Sequence, residues 1–196
     1  MGVSRSGAAV TPLYTWADTR ANLAAADLRR HAPHLVPRIA RAQRDERRHA
    51  RIARTLVRSL GASPPRTPRV PRVTRTLRQA AAHNAVEGCV HETFGAAVVA
   101  LQAGRATCAP LRRFFSSIAE DEMEHAVLSW DVHDALCARL PPRASARIAA
   151  AQRRAIDRIG ARPGLPEPLR ATLGAPTVEE RRALLNALCA SLPGVA

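Results

Sequence analysis

The residues with the clearest chemical promise occur as two copies of one hexapeptide. Asp45, Glu46, Arg47, Arg48, His49, Ala50 and Asp121, Glu122, Met123, Glu124, His125, Ala126 share the pattern D-E-x-x-H-A, 76 positions apart, and read as an internal repeat. Residues three apart project from nearly the same side of a helix, so each pair offers one carboxylate oxygen and one imidazole nitrogen in one direction. Two such helices face to face can hold two metal ions. The same four side chains, Glu46, His49, Glu122 and His125, can instead form a Glu to His network across a core with no metal, since mutual hydrogen bonds satisfy buried acids and imidazoles. Composition leaves both readings open.

A bundle of this kind takes one further Glu from each of its other two helices. Between the hexapeptides the candidates are Glu87 and Glu92. Extrapolating a 3.6-residue period puts Glu87 in phase with Ala80, Asn84, Phe94 and Val98, and Glu92 with Ala85, Gly88 and Ala96, so Glu87 is the expected ligand. His91 lies one turn from Glu87 on the same face and is a further candidate. Before the first hexapeptide the repeat interval carries Glu87 back to Thr11, where there is no carboxylate. Asp18, about two turns on, is the nearest acid, and a solvated first-turn acid is the plainer reading of it.

The elements that must position these groups are helices. Val36, Ile39, Gln43, Glu46, Ala50, Ala53, Val57 and Leu60 recur at spacings of three and four, which predicts a helix over 33–60 stopped by Gly61. Further helices are expected over 13–31, 76–102 and 109–140, with Leu111, Phe115, Ile118, Glu122, His125, Val132 and Leu136 on one face of the last. A shorter arginine-rich helix over 143–159 and a final one opened by the box Thr177 to Glu180 complete the chain. Four prolines between Ser63 and Val73 make a linker, here 61–75. The expected architecture is all-α: a four-helix bundle over 1–140, with 141–196 a helical extension of the same domain.

Length and composition agree. The 196 residues suit one domain, and 46% hydrophobic residues with only 3% aromatic favour helices packed through Ala and Leu. Nothing approaches a transmembrane run and the first ten residues lack a secretory apolar stretch, which points to the cytoplasm. Cys89, Cys108, Cys137 and Cys189 occur singly, without zinc-type CxxC pairs, and are expected to be core thiols.

On these residues the chain resembles the ferritin-like superfamily over about 13–140. Its Glu87, Gly88, Cys89, Val90, His91, Glu92, Thr93 is similar to the E-G-C-x-x-E-T stretch of a group of bacterial ferritin-like proteins, in which the position of His91 is commonly glycine and a first-helix glutamate is commonly present. The resemblance implies bridging Glu46 and Glu122, terminal His49 and His125, and terminal Glu87 on two iron or manganese ions. His91, Asp18 and Glu92 stand as supplementary candidates. It also implies oxygen- or peroxide-activating oxidoreductase chemistry of ferroxidase, peroxidase or hydroxylase type.

An alternative function is written in the charge. The formal net charge is +14, and all 30 basic residues counted as Lys or Arg are arginine. Arg66, Arg69, Arg72 and Arg75 recur every third residue through the proline-rich linker, and would line one edge of a polyproline II segment. With Arg41, Arg44, Arg47, Arg48, Arg51 and Arg54 nearby, they suit nucleic acid or an acidic partner, on a ferritin-like scaffold that has lost its activity. A solvated charged surface is the plainer reading. A homo-oligomer is compatible with either function.

Overall fold

The computed structural model describes residues 25–64 and 75–192. Every regular element among them is helical: α1 (Ala25–His31), α2 (Val36–Ser59), α3 (Leu77–His83), α4 (Thr93–Arg105), α5 (Ala109–Cys137), α6 (Pro142–Gly160), α7 (Glu167–Leu173) and α8 (Val178–Ala190). A 3-10 turn, Pro33–Leu35, leads into α2, and a π-helical stretch, Asn84–Glu92, joins α3 to α4 without a break. No described helix is long and apolar enough to cross a membrane.

Local chemistry sets the boundaries. Pro37 enters the first turn of α2, where no intrahelical N–H bond is lost, and Gly61 ends it with a φ of 77° that costs a residue without Cβ nothing. Reciprocal capping boxes open α3 (Thr76 with Gln79) and α8 (Thr177 with Glu180). Pro141 and Pro142 separate α5 from α6, so α5 stops at Cys137, short of the expected Leu140. The connection after α6 holds a helix the sequence reading missed, α7, closed by Gly174 at φ 63°. A Cβ on Gly174 would come within 2.5 Å of the Ala106 nitrogen.

The apolar stripes of α2 and α5 bring these helices together antiparallel. At one end Ala53 and Val57 cluster with Leu111, Phe115 and Ile118; at the other Ile39 clusters with Leu128, Val132 and Leu136. Both hexapeptides fall between these two apolar clusters. A third cluster joins Val90 of the π stretch to Ala155, Ile156 and Ile159 of α6 and to Leu185 and Leu188 of α8, so the C-terminal helices pack against the segment that follows α3. Arg38 with Asp131 (2.5 Å) and Arg41 with Glu124 (3.0 Å) tie the outer edges of α2 and α5.

One expectation changes. The helix over 76–102 is not a uniform α-helix, because its middle is π. Of the helix expected over 13–31, only the part from Ala25 is described; Asp18 lies outside the described residues, as do Arg66, Arg69 and Arg72. The four cysteines are free thiols. Cys89 is fully buried, and burial pushes its thiol far above the ordinary range.

Candidate metal centre

Each hexapeptide acts on the other. The Nε2 atom of His49 lies 2.8 Å from Asp121 Oδ2, and its Nδ1 lies 3.0 Å from Glu122 Oε1, at an angle outside good hydrogen-bond alignment. In the mirror arrangement His125 places Nδ1 3.2 Å from Glu46 Oε1 and Nε2 3.7 Å from Asp45 Oδ2, beyond a direct hydrogen bond. The two rings stand 5.9 Å apart. Both imidazoles therefore turn Nδ1 toward a glutamate and Nε2 toward the aspartate before it. Arg48 donates to Asp121 and so holds the His49 arm.

Glu46, His49, Glu122 and His125 are all buried, and charge there is set by these neighbours. Burial acts on both imidazoliums to lower their pKa, yet it is outweighed. Contacts with Glu122 and Asp121 and the charge of Glu46 hold His49 above its ordinary value. For His125 the Glu46 contact and the charges of Glu46, Glu122 and Glu92 raise it to about 9. Each imidazole therefore holds its proton more firmly than a free histidine does, between carboxylates.

Symmetry ends at the π stretch. Glu46, Glu92, Glu122 and His125 each offer a ligand atom, and these four atoms lie within 4.8 Å of one another. Glu92 is 7% exposed. Glu92, and not the expected Glu87, comes together with these donors: Glu87 meets His91 at 3.1 Å on a partly exposed face, and neither belongs to the four-donor group. The reason is helical phase. An i→i+5 turn takes up one residue more than an α turn, so the face extrapolated through Asn84 to Glu87 and His91 passes instead to Glu92.

Three groups hold the π stretch in place. Asn84, 1% exposed, donates from Nδ2 to the Ser129 carbonyl at 2.9 Å, and Cys89 Sγ approaches the same oxygen at 3.4 Å. Gly88 lets the backbones approach, since a Cβ there would lie 2.7 Å from Asn84 Oδ1 and 3.0 Å from Ser129 Cβ. Beside the four donors is a cavity of about 60 Å³, lined on its polar side by Glu46, Glu92, His125 and Asn84 and on its apolar side by Leu28, Ile39 and Val132. Sequence reasoning missed the roles of Asp45, Asp121, Asn84 and Gly88. The conserved spelling of the two hexapeptides was the available sign for the aspartates; nothing in a 3.6-residue period signals a π turn.

The donor set could hold a metal ion: it combines carboxylate oxygens with an imidazole nitrogen, and none of the donors is a thiolate. Three carboxylates so close in a core repel each other and need a cation or protons. Comparison with protein-family models, with curated proteins and with solved structures found no match.

Proposed function

We propose that the chain is a ferritin-like metal protein that holds iron or manganese between α2, the π stretch and α5. The observation that carries this reading is the convergence of Glu46, Glu92, Glu122 and His125, all buried, with ligand atoms within 4.8 Å of one another. Glu46 and Glu122 would hold the ion from opposite helices, Glu92 would close the set from the π stretch, and His125 would contribute Nδ1. Nδ1 of His125 would have to give up its proton to serve as a ligand, with Asp45 on the Nε2 side at 3.7 Å. His49, which touches Glu122, is the residue best placed to extend the site toward a second ion.

Bound iron or manganese would supply redox chemistry toward dioxygen or peroxide, which makes an oxidoreductase the enzyme class in view. The chain's own contribution is a half-open cavity with an apolar wall, beside two histidines whose carboxylate neighbours favour their protonated form. Metal content after anaerobic reconstitution with ferrous iron tests the reading, comparing the native chain with a Glu46→Ala, Glu122→Ala double variant. Iron retained by the native chain and lost in the variant supports it. A native chain that retains none leaves the ion-pair network as a structural core.

A second reading rests on the outer face of α2. Arg44, Arg47, Arg51 and Arg58 follow each other at helical spacing, all exposed, and none of their guanidiniums has an ion-pair or hydrogen-bond partner among the described residues. Such a stripe suits the phosphates of nucleic acid. Binding of a DNA duplex should then weaken steeply with salt, by about two powers of ten between 50 and 200 mM for four phosphate contacts. A shallow salt slope, or one unchanged by Arg47→Gln and Arg51→Gln, rejects it.

A further inference from the structure

Where the chain enters α3 and α6, a surface concavity of about 550 Å³ opens between the two helices. Arg78 lines it from the first turn of α3, and Arg143 and Arg147 line it from α6. The rest of the lining named for it is apolar apart from Thr76: Leu77, Leu140, Pro141 and Ala144. No carboxylate among the described residues takes part. Elsewhere Arg38, Arg41, Arg48, Arg105 and Arg170 each find an acid. Arg78, Arg143 and Arg147 have no ion-pair or hydrogen-bond partner among the described residues.

This arrangement opposes local stability. Arg143 and Arg147 are four apart on one helix face, where like charges repel. Arg78 adds a third positive charge from the opposite wall. The first turn of α6 has no acid to offset them, in contrast to α8, which opens on Glu179 and Glu180. Places where a chain breaks its own stabilising rules are where function is to be sought. A bound anion would remove all three conflicts together.

We propose that this concavity binds a phosphorylated small molecule of the nucleoside di- or triphosphate class. Three guanidiniums match the charge of a di- or triphosphate better than that of a single carboxylate or phosphate, and each can grip phosphate oxygens in a fork. Leu77, Leu140 and Pro141 supply apolar surface for the body of the ligand. The volume lies in the usual range for small-molecule sites, roughly 300 to 1,000 Å³. Two walls around a hollow suit a small ligand better than a duplex, which needs a long open face. The site is separate from the metal centre and does not depend on it.

Calorimetric titration of the full chain with ATP, tripolyphosphate and inorganic phosphate, in the presence of a chelator, tests the proposal. ATP should bind most tightly, tripolyphosphate less tightly because it lacks a body, and inorganic phosphate least. An Arg78→Gln, Arg143→Gln, Arg147→Gln variant should lose about tenfold or more in ATP affinity. An Arg153→Gln, Arg154→Gln variant, altered at exposed positions of α6 outside the concavity, should bind as the native chain does. Circular dichroism checks the fold of each, and Arg78→Gln alone decides the matter should the triple variant unfold. No ATP binding, or equal weakening in the triple variant and the control, overturns the proposal. So does a DNA duplex that binds through the same three arginines when ATP does not.

Discussion

The two copies of D-E-x-x-H-A begin as equals and end with different duties. On the α5 side, Asp121 takes His49 at 2.8 Å and is itself held by Arg48. On the α2 side, Asp45 stands 3.7 Å from His125, and it is His125 that joins Glu46, Glu122 and Glu92. The difference comes from outside the repeat. The π stretch delivers Glu92 beside His125 and not beside His49. A repeated motif therefore fixes a symmetric frame, and a single shift of helical phase elsewhere decides which half gathers the extra carboxylate.

The strongest way to break the comparison is at Glu122, which belongs to the four-donor group and also meets His49. Glu122→Ala should abolish metal retention and lower the stability of the metal-free chain by about 3 kcal/mol, measured by denaturant titration. Glu46→Ala should cost metal and stability to a similar extent, because Glu46 meets His125 as Glu122 meets His49. A much smaller loss for Glu46→Ala would mean that the His125 contact carries no weight.

The histidines separate next. His125→Ala should remove metal altogether, whereas His49→Ala should leave it bound with affinity reduced by about 10- to 100-fold, as for an orienting group. Metal competition with a chelator reads the ratio, and a reversed order would place the ion on the other arm.

Much of this frame was legible in the sequence. The spacing of Ile39, Glu46, Ala53 and Val57 and of Leu111, Phe115, Ile118 and Glu122 predicts both helices, their buried faces, and the presence of Glu46, His49, Glu122 and His125 in the interior, as found. Gly61, Pro141 and Thr177 marked ends because their backbone and capping chemistry is local. The choice between Glu87 and Glu92 was not legible. It depends on Asn84 and Gly88 packing against Ser129, 40 residues or more along the chain, and no local period carries that information. The short α7 was hidden by the prolines and glycines around it, and Asp18 falls outside the described residues.

The pH dependence of the metal-free chain sharpens the same contrast. His125 is raised from 6.5 to about 9, so its contribution to stability is fully present below pH 6.5 and is lost as pH rises through about 9. The loss should amount to about 3 kcal/mol. His49 is raised as well and acts in the same direction. Metal should flatten this dependence, because it replaces the Nδ1 proton. Thermal unfolding from pH 6 to 10, with and without manganese, checks the sign; stability that rises over this range contradicts it.

Gly88→Ala probes the π stretch itself. The new methyl group would meet Asn84 Oδ1 and Ser129, so a cost of about 1 to 3 kcal/mol is expected, with weaker metal binding as Glu92 moves away. A neutral substitution would mean that α5 can give way without moving Glu92.

The most direct test of the central claim compares Glu92→Ala with Glu87→Ala by manganese content after anaerobic loading and desalting. The account predicts that Glu92→Ala loses the ion, while Glu87→Ala retains it and changes stability by no more than about 0.5 kcal/mol. Retention by Glu92→Ala, or loss in Glu87→Ala, would contradict it, and would return the ligand to the face that an uninterrupted α-helix gives.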